Sequence, residues 1–244
     1  MIYGVLGDIH SNLAALQAAL SVLRSAGAER ILSVGDVVGY GAAPRECIAL
    51  LNDEGVHVVK GNHDAAVAGE LDPRYFNQYA RAAVEWTQRQ LTAAELRWLA
   101  GLPLRMHFEH CALAHGSYAH PEDFYYVHGP HDADASLDEL ELPVCFVGHT
   151  HVPVTLLRLA EDPLHTAFTH DSFVDLSETT RAVVNVGSVG QPRDEDPRAA
   201  CALYDSSARL LRIVRTTYDI EREQARILKA GLPPVLAERL RLGV

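Results

Sequence analysis

Cysteine is scarce in this chain: Cys47, Cys111, Cys145 and Cys201 are far apart and form no C-x-x-C pair. That spacing excludes a disulfide framework. The four sit mostly in apolar runs such as ELPVCFVG and EHCALAHG, so buried thiols are expected. No apolar run approaches the roughly 18 residues of a membrane span. The opening MIYGVLGDIH reads directly as a strand without a basic leader, and a cytoplasmic protein with no membrane partner is the expectation. No Pro/Ser/Gly-rich tract marks a linker, and disorder is not expected. Basic residues are also few. Lys and Arg total 21 against 32 Asp and Glu, a net charge of −11, which argues against a surface that neutralises a nucleic-acid backbone. Stable nucleic-acid binding is therefore not expected. Any attraction for phosphate must be local, and bound divalent cations can supply it.

What is present is an ordinary globular composition, 48% hydrophobic and 22% charged over 244 residues. This suits one domain over residues 1–244. Ile2 to Leu6 is a short apolar run; Leu13, Leu16, Leu20 and Leu23 follow at helical spacing, and Gly27 stops them. The unit recurs as a strand at Ile31 to Val34, a helix from Pro44 to Leu51, and a strand at Val56 to Val59. Alternation of this kind predicts an α/β sheet with crossover helices. From about Asp72 to Gly101 the pattern turns helical, with Tyr75, Tyr79, Ala82, Trp86 and Gln90 spaced as one face and Thr92/Glu95 as a capping box. We read a helical insertion at about 70–102, with its aromatic face toward the core, and the best candidate for a lid. Strands resume at Arg105 to Phe108, Cys111 to Ala114 and Val144 to Val147, then with hairpin character at Val154 to Leu159, Ala182 to Val186, Ala200 to Tyr204 and Leu210 to Arg215. Helices from Asp219 to Ala230 and after Pro233-Pro234 end the reading.

Five short polar clusters each follow a predicted strand: Gly7-Asp8-Ile9-His10, Gly35-Asp36, Gly61-Asn62-His63-Asp64, His115-Gly116 and Gly148-His149-Thr150-His151. Loops at the carboxyl ends of strands gather on one edge of an open α/β sheet, so these distant residues can converge. Asp, His and Asn together suit Mn, Fe, Zn, Co or Ni better than a calcium cage, and the absence of Cys argues against structural zinc. In Asp8-x-His10 and His149-x-His151, alternate residues of an extended segment point the same way and can present two donors to one side.

The ordered set D-x-H, G-D, G-N-H-[DE], a lone H and G-H-x-H resembles the calcineurin-like metallophosphoesterase superfamily, in its small single-domain bacterial and archaeal phosphodiesterase branch. The phrase NVGSVGQPRD (residues 185–194) is similar to that branch too, so the likeness covers roughly residues 1–215. It implies a two-sheet sandwich flanked by helices. It further implies two divalent transition-metal ions, one held by Asp8, His10 and His151, the other by Asn62, His115 and His149, with Asp36 between them. A bridging hydroxide would attack the phosphorus, and His63 would act as general acid or as donor to a phosphate oxygen. The implied substrate is a small phosphate ester, a phosphodiester first and nucleotide-derived ones among them. A phosphomonoester or a dinucleoside polyphosphate is the alternative substrate, and a non-catalytic metal-binding scaffold or a nuclease the alternative function. Where the protein-serine/threonine-phosphatase branch reads G-D-x-V-D-R-G, this sequence has Gly39 and Tyr40 in place of the second Asp and the Arg. Phosphoprotein phosphatase activity is therefore not expected, and the partner of His63 is left unassigned, with Asp64 adjacent.

Isolated, each cluster also reads as a strand-end turn, since Asn, Asp and Gly favour turns; the joint order favours metal. Arg193 is a candidate phosphate clamp or a surface partner of Asp194 or Glu195, and Tyr40 a candidate substrate contact. His120, His128, Tyr125 and Tyr126 lie near the His115 loop and read as surface or packing residues unless the fold brings them to the site.

Overall fold

The computed structural model describes residues 1–244. In chain order, the first half holds β1 (Ile2–Leu6), α1 (Leu13–Ser25), β2 (Arg30–Ser33), α2 (Pro44–Asp53), β3 (His57–Val58), α3 (Asn62–Ala68), α4 (Gln78–Gln90) and α5 (Ala93–Ala100). Next come β4 (Arg105–His107), β5 (Ala112–Ala114), α6 (Pro130–Glu139), β6 (Val144–Val147), β7 (Val154–Leu159), β8 (Ala167–Thr169) and β9 (Phe173–Asp175). The chain closes with β10 (Thr179–Asn185), β11 (Ala199–Asp205), β12 (Leu210–Thr216), α7 (Ile220–Lys229) and α8 (Pro234–Leu242). No helix is long and apolar enough to cross a membrane.

The strands form two six-stranded mixed sheets, ordered β3-β2-β1-β11-β12-β9 and β4-β5-β6-β10-β7-β8. Period-two alternation builds the sandwich. Tyr3 and Val5 of β1, with Tyr204 of the neighbouring β11, face the second sheet and meet its Phe146 and Val184, while Leu6 faces the opposite way toward α1. Tyr3, Phe146 and Tyr204 are fully buried, each contributing roughly 2–3 kcal/mol of burial free energy. Leu16, Leu20 and Leu23 of α1 join Cys47, Ile48 and Leu51 of α2 over the outer face of the first sheet. The second sheet is covered by α6 through Ala133 and Leu137. The expected α/β sandwich flanked by helices is thus the observed architecture.

Parallel β1, β2 and β3 end side by side, as do parallel β5 and β6. Their carboxyl-terminal loops therefore open at the same edge of the sandwich, one set from each sheet. Two expectations need correction. The face of α4 turned to the core is Ala80, Ala83, Val84 and Thr87, not the aromatic row: Tyr75 is 84% exposed and Tyr79 37% exposed. Small side chains let α4 lie close against its neighbours; Tyr75 precedes the helix in a turn at Pro73–Tyr75, Tyr79 is left outside, and of that row Trp86 packs half-buried against the C-terminal helices. In addition, α3 begins at Asn62, so the Gly61-Asn62-His63-Asp64 cluster is a helix start rather than a simple turn.

Candidate metal centre

All seven predicted ligands meet in this edge. Asp8 follows β1, Asp36 follows β2 and Asn62 starts the helix after β3; His115 follows β5, while His149 and His151 follow β6. The side chains of Asp8, His10, Asp36, His115, His149 and His151 are almost wholly buried. His151 Nε2 lies 3.4 Å from Asp8 Oδ1 and 3.1 Å from His10 Nε2. His115 Nε2 lies 3.4 Å from Asp36 Oδ2, 3.1 Å from Asn62 Oδ1 and 3.1 Å from His149 Nδ1. Asp36 Oδ2 is also 3.6 Å from His10 Nε2. Two groups of donors result, and Asp36 stands between them.

The tautomers follow from the backbone. Nδ1 of His10, His115 and His151 lies against the carbonyls of Val38, Val34 and Gln191, which can only accept. Each Nδ1 therefore carries a proton; the neutral rings of His10 and His151 turn the lone pair of Nε2 inward, while Nε2 of His115 faces Asp36 and carries a proton that a bound cation would replace. Lone pair faces lone pair at 3.1 Å between His10 and His151, an arrangement that a shared cation relieves. Charge points the same way. Burial pushes the Asp8 carboxyl up to about 7 and drives His10, His149 and His151 well below the ordinary imidazole range. At Asp36, burial is outweighed by His115, His63 and His10, which hold the carboxylate well below its usual range. At His115, burial is likewise outweighed, by the charge and hydrogen bond of Asp36, and the imidazole rises to about 9. The cluster draws positive charge into itself, and its oxygen and imidazole donors fit divalent transition-metal ions.

The loops store backbone strain. Asp8, His10, Ser11, Asp36, Tyr40, His149 and His151 all have φ between +48° and +69°, a conformation costing on the order of 1–2 kcal/mol for a residue with a Cβ. Hydrogen bonds hold them there: His10 N–H donates to the Asp36 carbonyl at 2.9 Å and Ser11 N–H to the Val37 carbonyl at 2.9 Å. The segment Asn185–Gln191 supplies the rest. Asn185 donates to the Gly148 carbonyl and Thr150 Oγ1, Ser188 Oγ donates to the Asp8 carbonyl, and the Gln191 carbonyl accepts the hydrogen bond from His151 Nδ1–H. The NVGSVGQ phrase is therefore the strut between the D-x-H and H-x-H loops, a role its letters did not disclose.

His63 stands beside Asp36, whose Oδ1 accepts the His63 backbone N–H at 2.8 Å. Its ring packs among Tyr40, Phe76 and His10, with centroids 4.5–4.8 Å away, and its Nδ1 is buried without a hydrogen-bond partner. Asp64 is not that partner. Its carboxylate accepts from Val38 N–H at 3.2 Å and Gly61 N–H at 3.0 Å, which braces the two motif loops against each other. Gly39, at φ +94°, presses against the His63 ring so closely that a Cβ there would collide with Nδ1. The Gly39 backbone stands against Nδ1 where an orienting carboxylate would have to reach it.

A cavity of about 430 Å³ opens over the cluster, lined among others by His63, Tyr40, Arg193, Phe76 and Tyr126. Arg193 does not pair with Asp194, which Arg215 takes; its guanidinium donates to Tyr40 Oη and Gln191 Oε1, both at 3.2 Å. Tyr126 stacks face to face on His149 at 3.8 Å. His120 and His128 contribute nothing to the seven-residue cluster. The contacts of Phe76 and Tyr126 carry no sequence signal, because loop aromatics have no period to read.

A family model of the calcineurin-like phosphoesterase superfamily domain matches residues 1–209. The chain is 37% identical over 243 residues to an uncharacterised protein of Methanocaldococcus jannaschii, covering 98% of this chain and 97% of that one. A crystal structure of a metallophosphoesterase from Sphaerobacter thermophilus superposes with a TM-score of 0.86 at 40% identity, over 100% of this chain and 99% of that one. A hypothetical protein from Pyrococcus horikoshii shares the fold, with a TM-score of 0.81 at 23% identity over 100% and 98% of the two chains.

Proposed function

This chain belongs to the calcineurin-like phosphoesterase superfamily and is a phosphoric ester hydrolase, and from that premise we propose that it cleaves small phosphodiesters, nucleotide-derived ones among them, with two divalent transition-metal ions. In this reading Asp8, His10 and His151 hold one ion, Asn62, His115 and His149 the other, and Asp36 both. The observation that carries it is the inward set of imidazole nitrogens around two buried carboxylates, with contacts of 3.1–3.6 Å and no lysine or arginine among them. When bound, such a pair supplies positive charge to phosphate oxygens and lowers the pKa of a water.

The chain's own residues do the remainder. Arg193 has free donors at the cavity wall and binds a non-bridging phosphate oxygen, with Tyr40 fixing the guanidinium from behind. His63, caged by three rings, gives a proton or a hydrogen bond to the oxygen that leaves. Rings on several sides hold it by packing alone. The absence of an Asp and an Arg at Gly39 and Tyr40 sets the site apart from phosphoprotein phosphatases.

We read residues 1–244 as one domain with a helical insertion at about 70–102; Leu71, Phe76, Asn77 and Ala80 of that segment line the cavity, which supports a substrate-contacting role. Four free, buried thiols agree with a cytoplasmic location. The test is direct. An aryl phosphodiester is hydrolysed after addition of Mn, and hydrolysis stops on chelation and returns with metal. No turnover across several metals and both ester types would refute the reading.

A further inference from the structure

We propose that the preferred phosphodiester carries a positive charge on its alcohol, an ammonium or trimethylammonium group on a short chain, and that Glu122 and Asp123 are the residues that select it. The inference rests on the phosphodiesterase reading above.

The cavity is electrically two-ended. Its floor holds Asp36, Asn62, His149 and His151 together with Arg193, and Arg193 has only neutral partners. His63, buried and with no side-chain hydrogen bond, lines the same space. Two exposed carboxylates, Glu122 and Asp123, line the cavity from the loop after β5. His120 clusters with both and Asp123 also engages Tyr125; the arginine that acts on Glu122, Arg105, is bonded to Glu139 instead, so neither carboxylate has a lysine or arginine partner of its own. An anion complements the floor and a cation the rim.

Other substituents fit less well. Tyr126 already lies parallel to His149 at 3.8 Å and 15° and to His128 at 5.4 Å and 13°, so part of its surface is taken up before any planar base could stack on it. A second anionic group would meet two carboxylates. Tyr75, 84% exposed, and Phe76 also line the cavity, offering aromatic faces of the kind that attract alkylammonium groups. The rim is fixed in place as well. Ser117 N–H donates to the Tyr125 carbonyl at 3.1 Å, and a Cβ on Gly116 would come within 2.5 Å of that oxygen. Glycine after His115 therefore lets the acidic loop fold back over the site.

The test uses metal-reconstituted enzyme and three 4-nitrophenyl alkyl phosphodiesters whose alkyl arms end in trimethylammonium, in its uncharged tert-butyl isostere, or in a carboxylate. At low salt kcat/KM for the cationic ester is expected to exceed that of the isostere by about five- to tenfold, the scale of two exposed ion pairs. The ratio shrinks toward one as salt rises to about 0.5 M. The double variant Glu122→Gln/Asp123→Asn is expected to bring the ratio near one, and Glu122→Lys/Asp123→Lys to reverse the order so that the anionic ester leads. Equal rates for cationic and uncharged esters in the unaltered enzyme overturn this proposal and leave the phosphodiesterase reading standing, as does a preference that survives both double variants. Failure to hydrolyse any of the three overturns both.

Discussion

At the scale of single residues, the site separates groups that hold charge from a group that acts beside them. His63 clusters with His10 and Asp36 and helps keep Asp36 ionised, but its removal leaves all seven assigned donors in place, so His63→Ala is expected to retain metal while turnover falls by about 10²–10⁴-fold. Asp36→Asn removes the oxygen that lies within 3.6 Å of both His10 and His115 and is expected to lose metal as well as rate. Metal content by elemental analysis beside kcat separates the two variants, and equal metal loss in both would sink the role given to His63. Gly39→Ala is the subtler probe. It forces a Cβ into His63 Nδ1 and strains a φ of +94°, so it is expected to lower turnover by at least tenfold with metal retained. The clustering of the seven proposed ligands was legible in the sequence because each sits in a glycine-flanked cluster behind an apolar run. Phe76, Tyr126 and the bracing role of Asp64 were not legible, because their partners lie in segments distant along the chain.

Among elements, α5 shows how much local sequence signal survives folding. Thr92 and Glu95 form the expected capping box, and Glu95 also pairs with Arg45 at 3.0 Å. Thr92→Ala should therefore cost about 1 kcal/mol, read as a lower urea midpoint with an unchanged slope. A loss below about 0.3 kcal/mol would show that packing, not the cap, fixes this helix start. Most strands and helices with a clear apolar period were legible within a residue or two, whereas β10 starts three residues before the expected Ala182 and α4 starts only at Gln78, after a turn at Pro73–Tyr75. Helix α6 was not, since its buried residues are only Ala133, Ser136 and Leu137 amid acidic neighbours. Three-residue β8 and β9 are too short for a period to show. The misassigned face of α4 has a similar origin: aromatic side chains dominate a periodicity reading, yet alanines decide which side of a helix can approach its neighbours.

For the whole molecule, two expectations follow from burial and from the two-sheet origin of the site. All four thiols are buried; burial pushes Cys111 and Cys201 up to about 12 and raises Cys47 and Cys145 strongly. The folded protein should resist alkylation at pH 8, and four equivalents should react only once it unfolds. Rapid labelling of any one thiol in the native state would contradict the packing described. The proposed metal residues are placed differently, because Asp8, Asp36 and Asn62 come from one sheet while His115, His149 and His151 come from the other. Whatever these residues grip together acts as a clasp across the open edge of the sandwich. Chelation should therefore lower the melting temperature and speed amide exchange at the rim of both sheets at once, while the far edge, around β8 and β9, keeps its protection pattern. A fold fastened in this way would let the supply of ions govern how long the protein survives a protease as well as how fast it turns over.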